Sequence, residues 1–370
     1  MTLAHPPFLL LPQVPGCVRC ASTEETAAAR GPRRTGSVRD VRAVQITEFG
    51  GPEVLTSVET ESPTPPEGWV LIDVTSAGVN FTDTHQADNS CPTPQRLPLI
   101  PGAEVVGRVR GGDLDGTRVV ALLTRGGGYA EQAVAPSSAV FPIGKDIADA
   151  TALALVMQGT TAWHLLRTST AMRPGETVVV HAGAGGVGSL AIQLARQWGA
   201  GRVITTASSE DKRDLATKLG ADVAVDVSQA TTAAEVEDTL LAANEGRRVD
   251  VVLEMTGGVV FDGSLRTLAP MGRLACYGMA SRTPPTPVDS RRLMAISATV
   301  SGFWLVHHAE RPEALGPAME ELLSLVRAGR LTGVAGGRYP LAEAARAHAD
   351  LRARRTVGKL VLDVTPSGAS

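Results

Sequence analysis

The chain has 370 residues, enough for two domains, and its 43% hydrophobic content can supply two sizeable cores. A formal net charge of −3 with no basic stripe gives nucleic acid no footing, and no apolar run approaches the roughly 18 residues of a membrane span. The four cysteines, Cys17, Cys20, Cys91 and Cys276, make no disulfide framework, which points to a reducing, cytoplasmic setting.

Met1 to Asp40 is rich in Pro, Ala, Thr and Arg and lacks sustained periodicity, so it reads as a disordered tail. Phe8 to Leu11 is too short for a signal-peptide core, and Arg33-Arg34 precedes no apolar run. Cys17-x-x-Cys20 has no second pair or neighbouring His at finger spacing, so a metal reading of it is not adopted.

From Val41 the pattern becomes short strands and turns. Arg42–Ile46, Trp69–Thr75, Val105–Val109, Arg118–Leu123 and Tyr129–Val134 read as strands between glycine clusters, which predicts a β-rich domain up to about Phe141. A helical stretch, Ile147–Leu166, follows. Strands are then expected at Thr177–Ala182, Arg202–Ala207, Asp222–Val227, Asp250–Met255, Arg273–Tyr277 and Thr299–Trp304, mostly separated by helical patterns. That alternation predicts a doubly wound parallel sheet. A helix around Glu313–Ala328 and a last strand, Lys359–Val364, complete the chain, the strand returning to the β-rich domain.

The first of the alternating strands runs directly into Gly183-x-Gly185-x-x-Gly188, and a helical pattern starts at once behind it. Strand, glycine turn and helix together are what a dinucleotide pyrophosphate requires. The glycines let the backbone turn tightly and approach the phosphates, and the new helix offers unpaired N–H groups and its positive dipole end. Gly183, Gly185, Gly186, Val187 and Gly188 are the expected cofactor-binding positions. About twenty residues further on, an NAD-preferring site would carry an acid for the ribose 2′-hydroxyl. Here the strand ends Thr205-Thr-Ala-Ser-Ser209, with no acid before Glu210.

Several separate motifs, in order, carry a family resemblance. They are Glu48-Phe-Gly-Gly-Pro-Glu-Val-Leu55, Ala77-Gly-Val-Asn-Phe-Thr-Asp-Thr84, Pro101-Gly-Ala-Glu-Val-Val-Gly107, Gly128-Tyr-Ala-Glu131, Gln158-Gly-Thr-Thr-Ala162, His181-Ala-Gly-Ala-Gly-Gly-Val-Gly188 and Gly358-Lys-Leu-Val-Leu362. From Val41 to Val364 the chain resembles the zinc-free quinone oxidoreductase (zeta-crystallin-like) branch of the medium-chain dehydrogenase/reductase superfamily. The resemblance implies an α/β fold in which a GroES-like β-rich catalytic domain, residues 41–162 and 305–370, is split around a Rossmann domain, residues 163–304. The cofactor would lie in the cleft between them.

The same resemblance supplies expectations for the site. Ser208 and Lys212 match NADPH-binding positions, which implies NADPH as cofactor. Asn80 stands where the alcohol dehydrogenase branch has its first zinc-binding cysteine, and Gly102-Ala103-Glu104 replaces Gly-His-Glu. No metal is therefore expected, and Glu104 is left a structural role. Asn80, Thr161 and His85 are the catalytic candidates: an orienting amide, a neighbour of the nicotinamide, and either a proton donor or a cleft wall. Asp83 is expected to stabilise its loop. Cys91 falls where related enoyl reductases place a tyrosine, and no base in the sequence activates it. His164 and His181 read as structural, and Phe303-Trp304 as substrate wall or core.

The function these expectations imply is NADPH-dependent hydride transfer to a small-molecule quinone or activated enone, without zinc. A natural-product tailoring enzyme on the same fold and a non-catalytic NADPH-binding protein are the alternatives. A homodimer is expected through the last Rossmann strand, near Thr299–Phe303.

Overall fold

The computed structural model describes residues 40–309 and 311–364, so the expectations about residues 1–39 lie outside the described residues. The first half runs β1 (Asp40–Ile46), β2 (Leu55–Glu61), β3 (Trp69–Val79), α1 (Phe81–Ala87), β4 (Glu104–Arg110), β5 (Arg118–Leu122), β6 (Gln132–Pro136) and β7 (Val140–Pro142). A helical segment follows: α2 (Asp149–Leu153), a π-type stretch (Ala154–Gly159), α3 (Thr160–His164) and a second π-type stretch (Leu165–Ser169). The alternating part is β8 (Thr177–Val180), α4 (Gly186–Gln197), β9 (Arg202–Thr206), α5 (Glu210–Lys218), β10 (Val223–Val225), α6 (Ala233–Ala243), β11 (Val249–Glu254), α7 (Gly258–Thr267), β12 (Leu268–Cys276), α8 (Ser290–Ile296) and β13 (Thr299–Gly302). The chain closes with α9 (Leu305–Ala309), α10 (Pro312–Arg327), β14 (Ala335–Pro340), α11 (Ala344–Arg352) and β15 (Lys359–Asp363).

β8 to β13 form one parallel sheet in the order β10-β9-β8-β11-β12-β13. Renumbered from β8, this is the 3-2-1-4-5-6 order of a dinucleotide-binding fold, with its topological switch between β8 and β11. The central strands are apolar on both faces because helices cover both. Val178, Val179, Val180, Val251, Val252 and Leu253 are all fully buried.

The other strands form a mostly antiparallel sheet, β14-β15-β3-β4-β5-β7, and β1–β2 is a hairpin beside it. β3 is long enough to serve three partners. It pairs β4 along one edge, while on the other its first half pairs β6 and its end pairs β15. This register brings the end of β3 between the starts of β4 and β15.

The sequence expectation missed β2, β7 and β14, which are short or lack clean alternation. It placed Tyr129 in a strand, whereas β6 begins at Gln132, and Tyr129 is instead a fully buried residue before it. The helical stretch begins at Asp149 and runs to Ser169, with two π-type insertions that periodicity alone does not reveal.

Candidate active site

β8 delivers the chain into a turn where side chains have no room. A Cβ on Gly183 would lie 2.0 Å from Thr205 Oγ1, and one on Gly188 would lie 2.3 Å from the Ala182 carbonyl oxygen. Ser189 N–H bonds back to Gly185 O at 3.0 Å, so the amides of Gly186, Val187 and Gly188 start α4 without intrahelical acceptors. The residues present fit a pyrophosphate: a glycine cradle, free amides and a helix dipole.

At the end of β9, Ser208 is exposed and Lys212 is partly buried on the first turns of α5. Lys212 Nζ donates to the Arg354 carbonyl oxygen at 2.6 Å. Burial, and then the Arg354 charge, hold the Lys212 pKa below its ordinary value. Among the described residues neither cation has a carboxylate partner. Arg354 lies 142 residues from Lys212, and nothing in its own sequence neighbourhood marks it.

Asn80 follows β3 and stands at the N-cap of α1. Its backbone N–H donates to Asp83 Oδ2 at 2.8 Å, while its side chain turns the other way. Asn80 Nδ2 donates to both Glu104 oxygens at 2.8 Å, and Asn80 Oδ1 accepts from Lys359 Nζ at 2.9 Å and Gln158 Nε2 at 3.2 Å. Lys359 also pairs directly with Glu104. Gly78 makes room for the pair, since a Cβ there would meet Glu104 Oε1 at 1.9 Å. Three strand ends thus converge on one buried cluster. Neither Lys359 nor Gln158 was among the site residues expected from sequence. Both lie inside recognised motifs, and only the β3–β15 register and the π-type stretch bring them to Asn80.

The other face of the α1 start holds a second buried chain. Tyr129 Oη donates to Asp83 Oδ2 at 2.9 Å and lies 3.0 Å from His348 Nε2. Burial, reinforced by Glu104, pushes the Asp83 pKa up to about 7.

His85 is directed elsewhere. Its Nδ1 lies 2.5 Å from Ser90 Oγ, and Ser90 Oγ in turn donates to Asp88 Oδ1. Ser90 therefore accepts from His85 Nδ1–H, which leaves Nε2 as an acceptor in the neutral ring. Burial, followed by the Arg282 charge, lowers the His85 pKa. Arg282, from the loop after β12, reaches Asp88 and Thr84, tying the parallel-sheet half to α1.

Thr161 is buried on α3, one turn beyond Gln158, and its hydroxyl makes no hydrogen bond to the described residues. Burial pushes the Cys91 thiol up to about 11. His181 is enclosed between Thr206 Oγ1 and Ser264 Oγ, with its pKa lowered by burial to about 4. Phe303 packs in the core, stacked on His164 and His308.

Residues 66–145 match the family model described as alcohol dehydrogenase GroES-like domain, and residues 186–321 match the one described as zinc-binding dehydrogenase. A quinone oxidoreductase of Pseudomonas aeruginosa is 34% identical over 331 residues, which cover 87% of this chain and 99% of that protein. A 2-haloacrylate reductase of a Burkholderia species is 32% identical, over 87% of this chain and 98% of its own. A mycobacterial structure described as complexed with NADPH superposes with a TM-score of 0.81 at 38% identity, covering 88% of this chain and 100% of that one. No described helix is long and apolar enough to cross a membrane.

Proposed function

The chain belongs to the quinone oxidoreductase branch of the medium-chain dehydrogenase/reductase superfamily, and from that premise we propose an NADPH-dependent reductase that passes a hydride to a quinone or an activated enone. The observation that carries the cofactor is the glycine turn at Gly183–Gly188 with the Lys212–Arg354 cation pair beyond a β9 that ends without an acid. An acid there would repel a 2′-phosphate; two cations and the Ser208 hydroxyl attract one.

NADPH, when bound, supplies the hydride, and the acceptor takes up one proton besides. The chain's own contribution is alignment of the acceptor and donors for the developing oxyanion. Asn80 acts within its network, because Glu104, Lys359 and Gln158 already engage both ends of its amide. The free Thr161 hydroxyl is the donor we assign to the acceptor's side of the cleft. His85, neutral and accepting at Nε2, serves as a wall rather than as an acid.

Zinc has no part in this reading. A zinc site needs thiolate, imidazole or free carboxylate ligands. Where such ligands would gather, Asn80 and Ala103 stand, and the Glu104 carboxylate is taken by an ammonium and an amide. We also propose a homodimer formed along β13, an edge strand of the parallel sheet, next to the exposed Met294. Cytoplasmic residence accords with Cys91 and Cys276, both free thiols.

The test is NADPH oxidation against a panel of quinones and enones. Turnover of either class supports the proposal. NADPH binding with no turnover of any acceptor would favour a non-catalytic binding protein.

A further inference from the structure

Hydrogen-bond directions around Asn80 follow from chemistry. The Lys359 ammonium can only donate and the Glu104 carboxylate accepts. Asn80 must therefore present Oδ1 to Lys359 and Nδ2 to Glu104, as it does. The group of Gln158 that faces Asn80 Oδ1 must then be a donor, so Nε2 is turned toward Asn80 and Oε1 away from it. No amide flip at either residue satisfies the cluster.

Gln158 is only 9% exposed, and its Oε1 is buried without a hydrogen-bond partner. An orphaned buried acceptor costs about 1–3 kcal/mol and calls for a donor. Its position is informative. The end of the Gln158 side chain lies over Gly186, the first residue of α4, where a Cβ would come within 2.3 Å of Oε1. The oxygen thus stands beside the phosphate cradle but cannot bind phosphate, which also only accepts. Its partner is a hydroxyl or N–H adjoining the phosphates. Ser208 and Lys212 place the adenosine end on the β9 side of the cradle, whereas Gln158 is bonded to Asn80 of the other sheet.

We infer that Gln158 Oε1 accepts a hydrogen bond from the nicotinamide half of the cofactor, through a ribose hydroxyl or the carboxamide N–H, and so joins that half to the Asn80–Glu104–Lys359 cluster. The inference rests on the NADPH reading. It makes Gln158 a residue that reads the correct half of the cofactor and passes its position to Asn80. It also explains why α4 begins with glycine: the Gln158 amide occupies the space of a side chain.

The experiment is titration of the full chain with NADPH, 2′-phospho-ADP-ribose and 2′,5′-ADP, for the parent and for Gln158→Met, with thermal melts as the fold control. Loss of one neutral hydrogen bond weakens NADPH by about three- to tenfold. 2′,5′-ADP, which lacks the second ribose and the nicotinamide, should bind both proteins equally. A loss shared by 2′-phospho-ADP-ribose assigns the ribose hydroxyl; a loss confined to NADPH assigns the carboxamide. Equal NADPH affinity in parent and variant, or an equal loss for all three ligands, overturns the inference. A parent that binds none of the three overturns the cofactor reading itself. Should Gln158→Met melt far below the parent, Gln158→Ala replaces it, judged by the same ligand contrast.

Discussion

The ammonium of Lys359 lies on the carboxylate of Glu104, 255 residues earlier in the chain, and neither side chain has any exposed surface. A pair this deep is stable only while both members and their hydrogen bonds are present, because each charge left alone meets the full cost of desolvation. Asn80 supplies the remaining bonds to both. The pair therefore fixes an amide where the ends of β3, β4 and β15 meet, and the hydrogen bonds of that amide take their direction from the ion pair.

Lys359→Met should lower the unfolding free energy by about 3–5 kcal/mol, since Glu104 would be buried unpaired. Adding Glu104→Gln should restore a large part of the loss. Denaturant unfolding of the two singles and the double measures the coupling. A single-variant loss below about 1 kcal/mol would show that the pair is not held as described.

NADPH should bind more tightly than NADH, and Lys212→Ala should narrow the gap by at most about 1.5–3 kcal/mol, the range for a charge-assisted hydrogen bond. Arg354→Ala should act in the same direction, because its charge stands beside Lys212. Equal affinity of the parent for the two dinucleotides would remove the 2′-phosphate assignment.

Turnover should depend on Asn80 and hardly on Cys91. Asn80→Ala opens the buried cluster that positions the site and, by misplacing the reacting groups, should lower kcat for quinone reduction by about tenfold or more. Cys91→Ser should leave most activity, since its thiol, pushed up to about 11, is not a thiolate at neutral pH. The reverse ranking would move the chemistry to the thiol.

Purified protein should carry no stoichiometric zinc, and chelators should leave its activity unchanged, because the ligand set around Glu104 holds an ammonium instead. About one zinc per chain, with activity lost on chelation, would contradict this.

His181 should make the fold acid-sensitive. Burial lowers its pKa from 6.5 to about 4, so the folded state keeps it neutral while the unfolded state takes up a proton. The resulting stability is complete above the unfolded value and is lost as pH falls from about 6.5 through about 4, by up to about 3 kcal/mol. Asp83, raised from 3.8 to about 7, acts with opposite sign: its contribution is present at low pH and lost as pH rises toward 7. Urea unfolding of the parent and His181→Gln at pH 7 and pH 5 isolates the histidine. An unchanged difference between the two proteins at both pH values would show that His181 is accessible to protons when folded.

The sequence by itself determined what local pattern can encode. Runs such as Val178–Val180 and Val251–Leu253 announce buried parallel strands, and Gly183, Gly185 and Gly188 announce a phosphate turn, because both depend on residues within one short window. Asn80 and Thr161 could be singled out because each lies in a recognisable motif, and Ser208 and Lys212 because they follow a strand that ends without an acid, at positions matched by the family resemblance. Their partners could not. Arg354 comes to Lys212 across 142 residues, and Lys359 comes to Asn80 across 279. Gln158 meets Asn80 only through a π-type stretch that helical periodicity does not signal. Strand register and long-range packing make these contacts, and they depend on the whole chain. The tertiary structure alone decided that the Asn80 amide is engaged at both ends, by Glu104 and by Lys359, because hydrogen-bond direction there is set by neighbours in space rather than neighbours in sequence.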